Sequence, residues 1–284
     1  VVEFIHTNGA GMVNGNQASG MPGAFSAGGD LKFMLDLANK GDFQGINNFI
    51  ADVHEGMKMT KYAPFPVVAA PYGMALGGGC EVCLWADKIV AHNELYMALV
   101  EVGAGLVPAG GGCYQMWRRL SETVVTPADW LSVFLQAFQT IAMPMPTGSA
   151  QEARAKGFLR PQDRIVFNRD YLIGEAKKEV LRMVEDGYVP PANLPVKVFG
   201  QDAMGALDAN IPDMLAGYRI APHISTVVRR VGYIISGGTA YKGEAISEDA
   251  MLALEREMFV DCWKTEKSRK MAEHMATKGK PLFI

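Results

Sequence analysis

The stretch LGGGCEVC (76–83) can be read in two ways. Cys80 and Cys83 have the spacing of a redox or metal motif, whereas Gly77, Gly78 and Gly79 make a turn that would present the Glu81 carboxylate. A metal site would want a second pair of Cys or His at matching spacing. Cys113 and Cys262 stand alone, and no His pair accompanies them. A redox pair does cap a helix after a strand, but thiol chemistry has no need of three preceding glycines. The cysteines therefore read as small residues packed on a helix, and the glycines with Glu81 carry the information.

The chain around this stretch has 284 residues, enough for one large domain or a domain with a helical appendage. Hydrophobic residues make up 49% and charged residues 20%, which describes a globular protein with ample core. A net charge of −3 gives no global attraction to nucleic acid or to an anionic membrane. No apolar run reaches the roughly 18 residues that a membrane span needs. The start, VVEFIHTNGAG, lacks a basic segment followed by an apolar one, so no secretory leader is expected. Four cysteines in a chain this long do not make a disulfide framework, and a reduced, cytoplasmic protein is expected.

VVEFI (1–5) and PVVAAPYG (66–73) are short, β-branched and bounded by turn residues, as buried strands are. From Leu31 to about Thr60 the spacing predicts helix, with Leu31, Met34, Leu35 and Ala38 on one face and interruptions at Gly41 and Gly45. Helix is expected again from about Cys80 to Trp85, then a strand and turn in ADKIVAHNE (86–94). Strands alternating with helices argue an α/β core. Further on, Thr126 and Pro127 read as N-cap and first residue of a helix, and RDYLIGEAKKEVLRMVEDG as a helix ending at Gly187. One long helix is expected from Ser247 to about Lys278, closed by Gly279. Residues 1–120 thus read as a glycine-rich α/β core carrying the active site. Residues 121–284 read as a mostly helical part that covers substrate and makes oligomer contacts. No internal repeat is present.

NGAGMVNG (8–15) is not a dinucleotide loop, because its spacing is Gly-x-Gly-x-x-Asn and the third glycine is displaced. No phosphate-binding Gly-Lys-Ser/Thr loop exists. FSAGGDL (25–31), LGGGCE (76–81) and VEVGAGLVPAGGG (100–112) fit together better, each placing glycines beside an apolar strand. Glycine lets a ligand approach the backbone, and an N–H opening a helix sits at the positive end of its dipole. Two such amides from separate loops would make an oxyanion hole. Glu81, one turn into the helix, and Glu101, before the third loop, then form an acid/base pair. The five histidines, His6, His54, His92, His223 and His274, are scattered and read as surface or capping residues. Met57, Met59 and Met97 read as core packing, with an acyl-pocket lining as the other possibility. KTEKSRK (264–270) reads as a solvated helix face.

The three glycine motifs, as FSAGGDL, PYGMALGGGCEVCLWAD and ELYMALVEVGAGLVPAGGG, resemble the crotonase (enoyl-CoA hydratase/isomerase) superfamily in order and spacing. The resemblance implies a crotonase-like α/β core, a ββα-superhelix, with a helical C-terminal region. It implies an oxyanion hole from the Gly29 and Gly78 amides, and catalytic Glu81 and Glu101. It further implies CoA or substrate contacts at Ala27, Gly28, Leu31, Gly77 and Pro108, Ala27 through a carbonyl like the family's adenine acceptor. Acyl-CoA would be the substrate, with no metal or other cofactor, in fatty-acid β-oxidation by a trimer. Keeping both glutamates favours hydration of a trans-2-enoyl-CoA over double-bond isomerisation. Glu81 is assigned to activate water and Glu101 to protonate Cα, and the reverse assignment stays open. Thioester hydrolysis and a non-catalytic acyl-CoA-binding or assembly role are the other readings.

The second half, in EARAKGFLRPQDRIVFNRDYLIGEAKKEVL, ISGG, LEREMF and HMATKGKPL, resembles the C-terminal hydratase half of bifunctional 3-hydroxyacyl-CoA dehydrogenase/enoyl-CoA hydratases. The dehydrogenase half is absent from the sequence, which leaves two readings: an excised domain, with that half as a fused or associated partner, or a stand-alone relative. Only about twenty residues separate VVEFI from FSAGG, too few for the helix and strand expected there.

Overall fold

A computed structural model describes residues 24–217 and 219–284. The readings made on VVEFI, NGAGMVNG, His6 and the short segment before FSAGG lie outside the described residues. The chain forms two compact units that interleave in sequence. Among the described residues the first comprises 24–30, 52–99 and 145–192, and the second 31–51, 100–144, 193–217 and 219–284.

In the first unit, β1 (Ala24–Ser26), β3 (Gly73–Leu76) and β5 (Leu95–Ala98) form a parallel sheet in the order β1-β3-β5. A second parallel sheet has the order β2-β4-β6, from Val68–Ala69, Lys88–His92 and Arg164–Val166. Parallel strands are covered on both faces, so their residues run apolar without alternation. Ile89, Val90 and Ala91 are accordingly all buried in succession. The single strand expected over 66–73 is two strands in different sheets. Pro71, which has no N–H to give a ladder, and Gly73, at φ +55°, turn the chain between them.

The helix Leu172–Glu185 packs on the second sheet through Leu172 and Ala176, against Val68, Val90 and Val166. Its buried Glu179 accepts hydrogen bonds from Lys88 Nζ at 2.5 Å and from Arg182. Burial alone would raise the Glu179 carboxyl, but the hydrogen bonds and charges of Arg182 and Lys88 outweigh it and hold it below the ordinary glutamate range. A depressed carboxylate contributes stability that is present above its unfolded pKa and lost as pH falls through the folded one. Glu179→Gln is therefore expected to cost about 2 kcal/mol at pH 7, because the half-buried Lys88 is left beside a neutral amide, and to cost less toward pH 3. Urea melts across that range check it; an equal loss at both ends would contradict the account.

The second unit is mostly helical among its described residues. Leu31–Asn39 and the start of Phe43–Lys61 are separated at Gly41, which has φ +73°. Gly45 does not interrupt; it lies in the first turn, its N–H bonded to Asp42 Oδ1 at 2.8 Å. Gly112–Ser121, Asp129–Ala142, Gln201–Ala216 and Pro222–Ile235 follow, with a short antiparallel ribbon from β7 (Val196–Lys197) and β8 (Ala245–Ile246). The helix expected to open at Thr126 opens at Asp129, whose carboxylate accepts the N–H groups of Thr126 and Val125 at 2.6 and 3.1 Å. Ser247 caps its helix as expected, accepting Ala250 N–H. The long helix beyond it is two, Glu248–Lys264 and Glu266–Lys278. Thr265 is extended between them and its side chain accepts Ser268 N–H, so it caps the second. KTEKSRK is consequently no single solvated face: Ser268 is fully buried.

Candidate active site

β1 and β3 are parallel neighbours with Ser26 opposite Ala75, so the loops that leave them start from the same edge of the sheet. Open parallel sheets bind ligands at this carboxyl edge. After β3, Gly77 turns with φ +53°, giving its N–H to Ala98 O at 2.9 Å. The helix Gly78–Trp85 begins immediately, two residues before the expected start at Cys80. Its first rung is the Glu81 N–H bonded to Gly77 O at 3.0 Å. Gly78 precedes that rung, so its N–H has no carbonyl to reach within the helix. Glu81 stands in the first turn, only 4% exposed.

The β1 loop lies directly against this helix start. A Cβ built on Gly28, at φ +107°, would stand 3.3 Å from Leu76 O and 3.6 Å from Gly78 N. A Cβ on Gly79 would overlap Ser26, at 2.4 Å from its Cβ. Gly28 N–H bonds back to Ser26 Oγ at 3.3 Å, which fixes the loop's exit. Gly28 is buried, Ala27 and Gly29 are exposed, and Gly78 is half-buried. The structure thus brings Gly28, Gly77, Gly78 and Glu81 together, with Ala27 and Gly29 on the adjoining loop.

Leu31, Glu101 and Pro108 belong to the second unit. Leu31 is half-buried at the start of its helix, and Pro108 is buried. Glu101 is half-buried and opens a 3-10 turn to Ala104; its carbonyl accepts Leu106 N–H at 3.0 Å and also Gly105 N–H. The glycine run after Pro108 starts the helix Gly112–Ser121, and the buried Glu255 carboxylate accepts the amides of Gly111 and Tyr114 at 2.9 and 2.6 Å. This cap comes from 144 residues away, and nothing local in the sequence announces it. All four cysteines are fully buried, as the packing reading expects. Among the described residues no three His, Cys, Asp or Glu side chains gather as a metal-binding set.

Residues 18–128 match the enoyl-CoA hydratase/isomerase family. The structure aligns with the crystal structure of an enoyl-CoA hydratase from Rhodobacter sphaeroides at a TM-score of 0.60 and 17% identity, over 92% of this chain and 75% of that one. The chain has the crotonase fold, and residues 18–128 carry the match to that family. A Bacillus subtilis protein named a probable 3-hydroxyacyl-CoA dehydrogenase is 36% identical over 99% of this chain, which covers 36% of that protein. The human protein named mitochondrial methylglutaconyl-CoA hydratase is 33% identical over 37% of this chain and 30% of its own length. The chain spans about a third of the length of these curated relatives.

The histidine and methionine readings need correcting in part. His54 and His223 are buried rather than at the surface, at 2% and 7% exposure, while His92 and His274 are not. Met57 and Met97 are buried as core residues, but Met59 is exposed. No described helix is long and apolar enough to cross a membrane.

Proposed function

We propose that the protein hydrates a trans-2-enoyl-CoA reversibly to the 3-hydroxyacyl-CoA. The observation that carries the reading is the close seating of the Ala27–Gly29 loop on the start of the Gly78–Trp85 helix, with buried Glu81 in its first turn. Water adding to Cβ pushes an electron pair through Cα onto the thioester oxygen, and the amides of Gly29 and Gly78 hold the resulting negative charge. One such donor is worth about 3 kcal/mol of barrier. Glu81 takes the proton from the attacking water. Glu101 supplies the proton to Cα, a role assigned on its place in the sequence motif. Backbone amides polarise the carbonyl, so this route draws on no metal. The length and name of the Bacillus relative support a 3-hydroxyacyl-CoA dehydrogenase as the activity that consumes the product.

Crotonyl-CoA is the test substrate. Loss of the enoyl thioester absorbance with 3-hydroxybutyryl-CoA as product is the expected result. Migration of the double bond of a 3-enoyl-CoA without water uptake would make the protein an isomerase. Release of free CoA, read with a thiol reagent, would make it a thioesterase. Calorimetric binding of the ester with no turnover would leave it a binding protein.

A further inference from the structure

Glu101 is followed by a turn that something must hold in place. Its own backbone bonds, from Gly105 and Leu106 N–H to the Glu101 carbonyl, are local. The turn is held from outside by the helix Glu266–Lys278, within the same unit. Gly105 has φ +76°, and a Cβ there would stand 3.1 Å from both Met271 Cβ and Ser268 Cα. A Cβ on Gly103 would meet Met275 Cε at 3.8 Å. Ser268, Met271 and Met275 fall at helical i, i+3, i+7 spacing, so one face of this helix lies along the turn.

Two hydrogen bonds fix that contact. Ser268 Oγ donates to Gly105 O at 2.6 Å, and His223 Nε2 lies 2.9 Å from Ser268 Oγ. Because the hydroxyl hydrogen goes to a carbonyl that can only accept, the serine oxygen accepts from His223, which must then carry its proton on Nε2. Burial, and after it the charges of Lys267 and Arg230, hold the imidazole below its ordinary range and so keep it neutral. Ser268 is fully buried and His223 nearly so.

We infer that Ser268 and His223 are positioning residues for the proposed hydration, forming a buried His223–Ser268–Gly105 relay that fixes the turn presenting Glu101. The inference rests on the reading of Glu101 as the proton donor, and its structural half is tested without that reading. Hydrogen exchange over residues 101–107 needs no turnover. Ser268→Ala is expected to speed it at least about tenfold, because the turn loses its outside anchor. In the crotonyl-CoA assay the same variant should lose kcat about tenfold with KM within about twofold, as expected when a catalytic group is misplaced while binding is retained. His223→Gln keeps an amide N–H where Nε2 stands and should match wild type in both readouts. His223→Leu should behave as Ser268→Ala does.

Unchanged exchange in Ser268→Ala overturns the inference, as does His223→Gln failing as badly as His223→Leu. If Ser268→Ala does not fold, the two His223 variants decide. A wild type that never hydrates crotonyl-CoA sinks the hydratase reading instead, and the exchange data still decide whether the relay holds the turn.

Discussion

Glu81→Gln is expected to lower kcat for crotonyl-CoA hydration by about 10²–10⁴-fold, the range over which a lost general base is felt. The amide keeps the volume and one hydrogen-bonding oxygen of the carboxylate but has no basic oxygen to take a proton from water. Glu81 is buried in the first turn of the Gly78–Trp85 helix, so the isosteric change leaves packing intact and the melting temperature should move little. Glu101→Gln is expected to fall by a similar factor. Stopped assays that follow 3-hydroxybutyryl-CoA separate the two glutamates from contaminating hydratase, because both variants share one purification. Hydration by either variant within threefold of wild type would remove that glutamate from its assigned role.

Gly79→Ala is expected to cost about 10²-fold in kcat, the cost of moving reacting groups by an ångström, together with about 1–3 kcal/mol of stability from overpacking. The added methyl falls 2.4 Å from Ser26 Cβ and 3.0 Å from Ser26 O, so the β1 strand end and the helix start must separate. That separation pulls apart the loops carrying the Gly29 and Gly78 amides. Ser26→Gly removes the closest obstacle, and the double variant should recover part of both losses. A double variant no better than Gly79→Ala alone would mean that contact between these loops is not what the glycine protects.

The sequence made the loops readable because their chemistry is local. A glycine run before a short apolar helix forces a positive-φ turn at Gly77, and Glu81 follows within one turn of it. Strand β4 was equally plain, since a strand buried on both faces shows as an apolar run. What stayed hidden depends on distant partners. Glu255 reads as one more acid on an amphipathic helix until it is seen to cap the amides of Gly111 and Tyr114. Ser268 sat in a charged run and read as solvent-facing, yet it is fully buried against Gly105. One break was legible and missed: Thr265 followed by Glu266 is a cap signature, and the surrounding helical periodicity masked it.

The order of strands bears on how the chain is made. β4 is the middle strand of its sheet, and its outer partner β6 is paired at a separation of 74 residues along the chain, as between Val90 and Arg164. At ribosomal rates of about 5–20 residues per second, the edge of β4 waits roughly 4–15 seconds for that partner. Throughout that interval Ile89, Val90 and Ala91 present an unpaired apolar edge to water or to a chaperone. Chains released before Arg164–Val166 emerge should therefore sediment as aggregates more than chains released after the helix Leu172–Glu185 that covers this sheet.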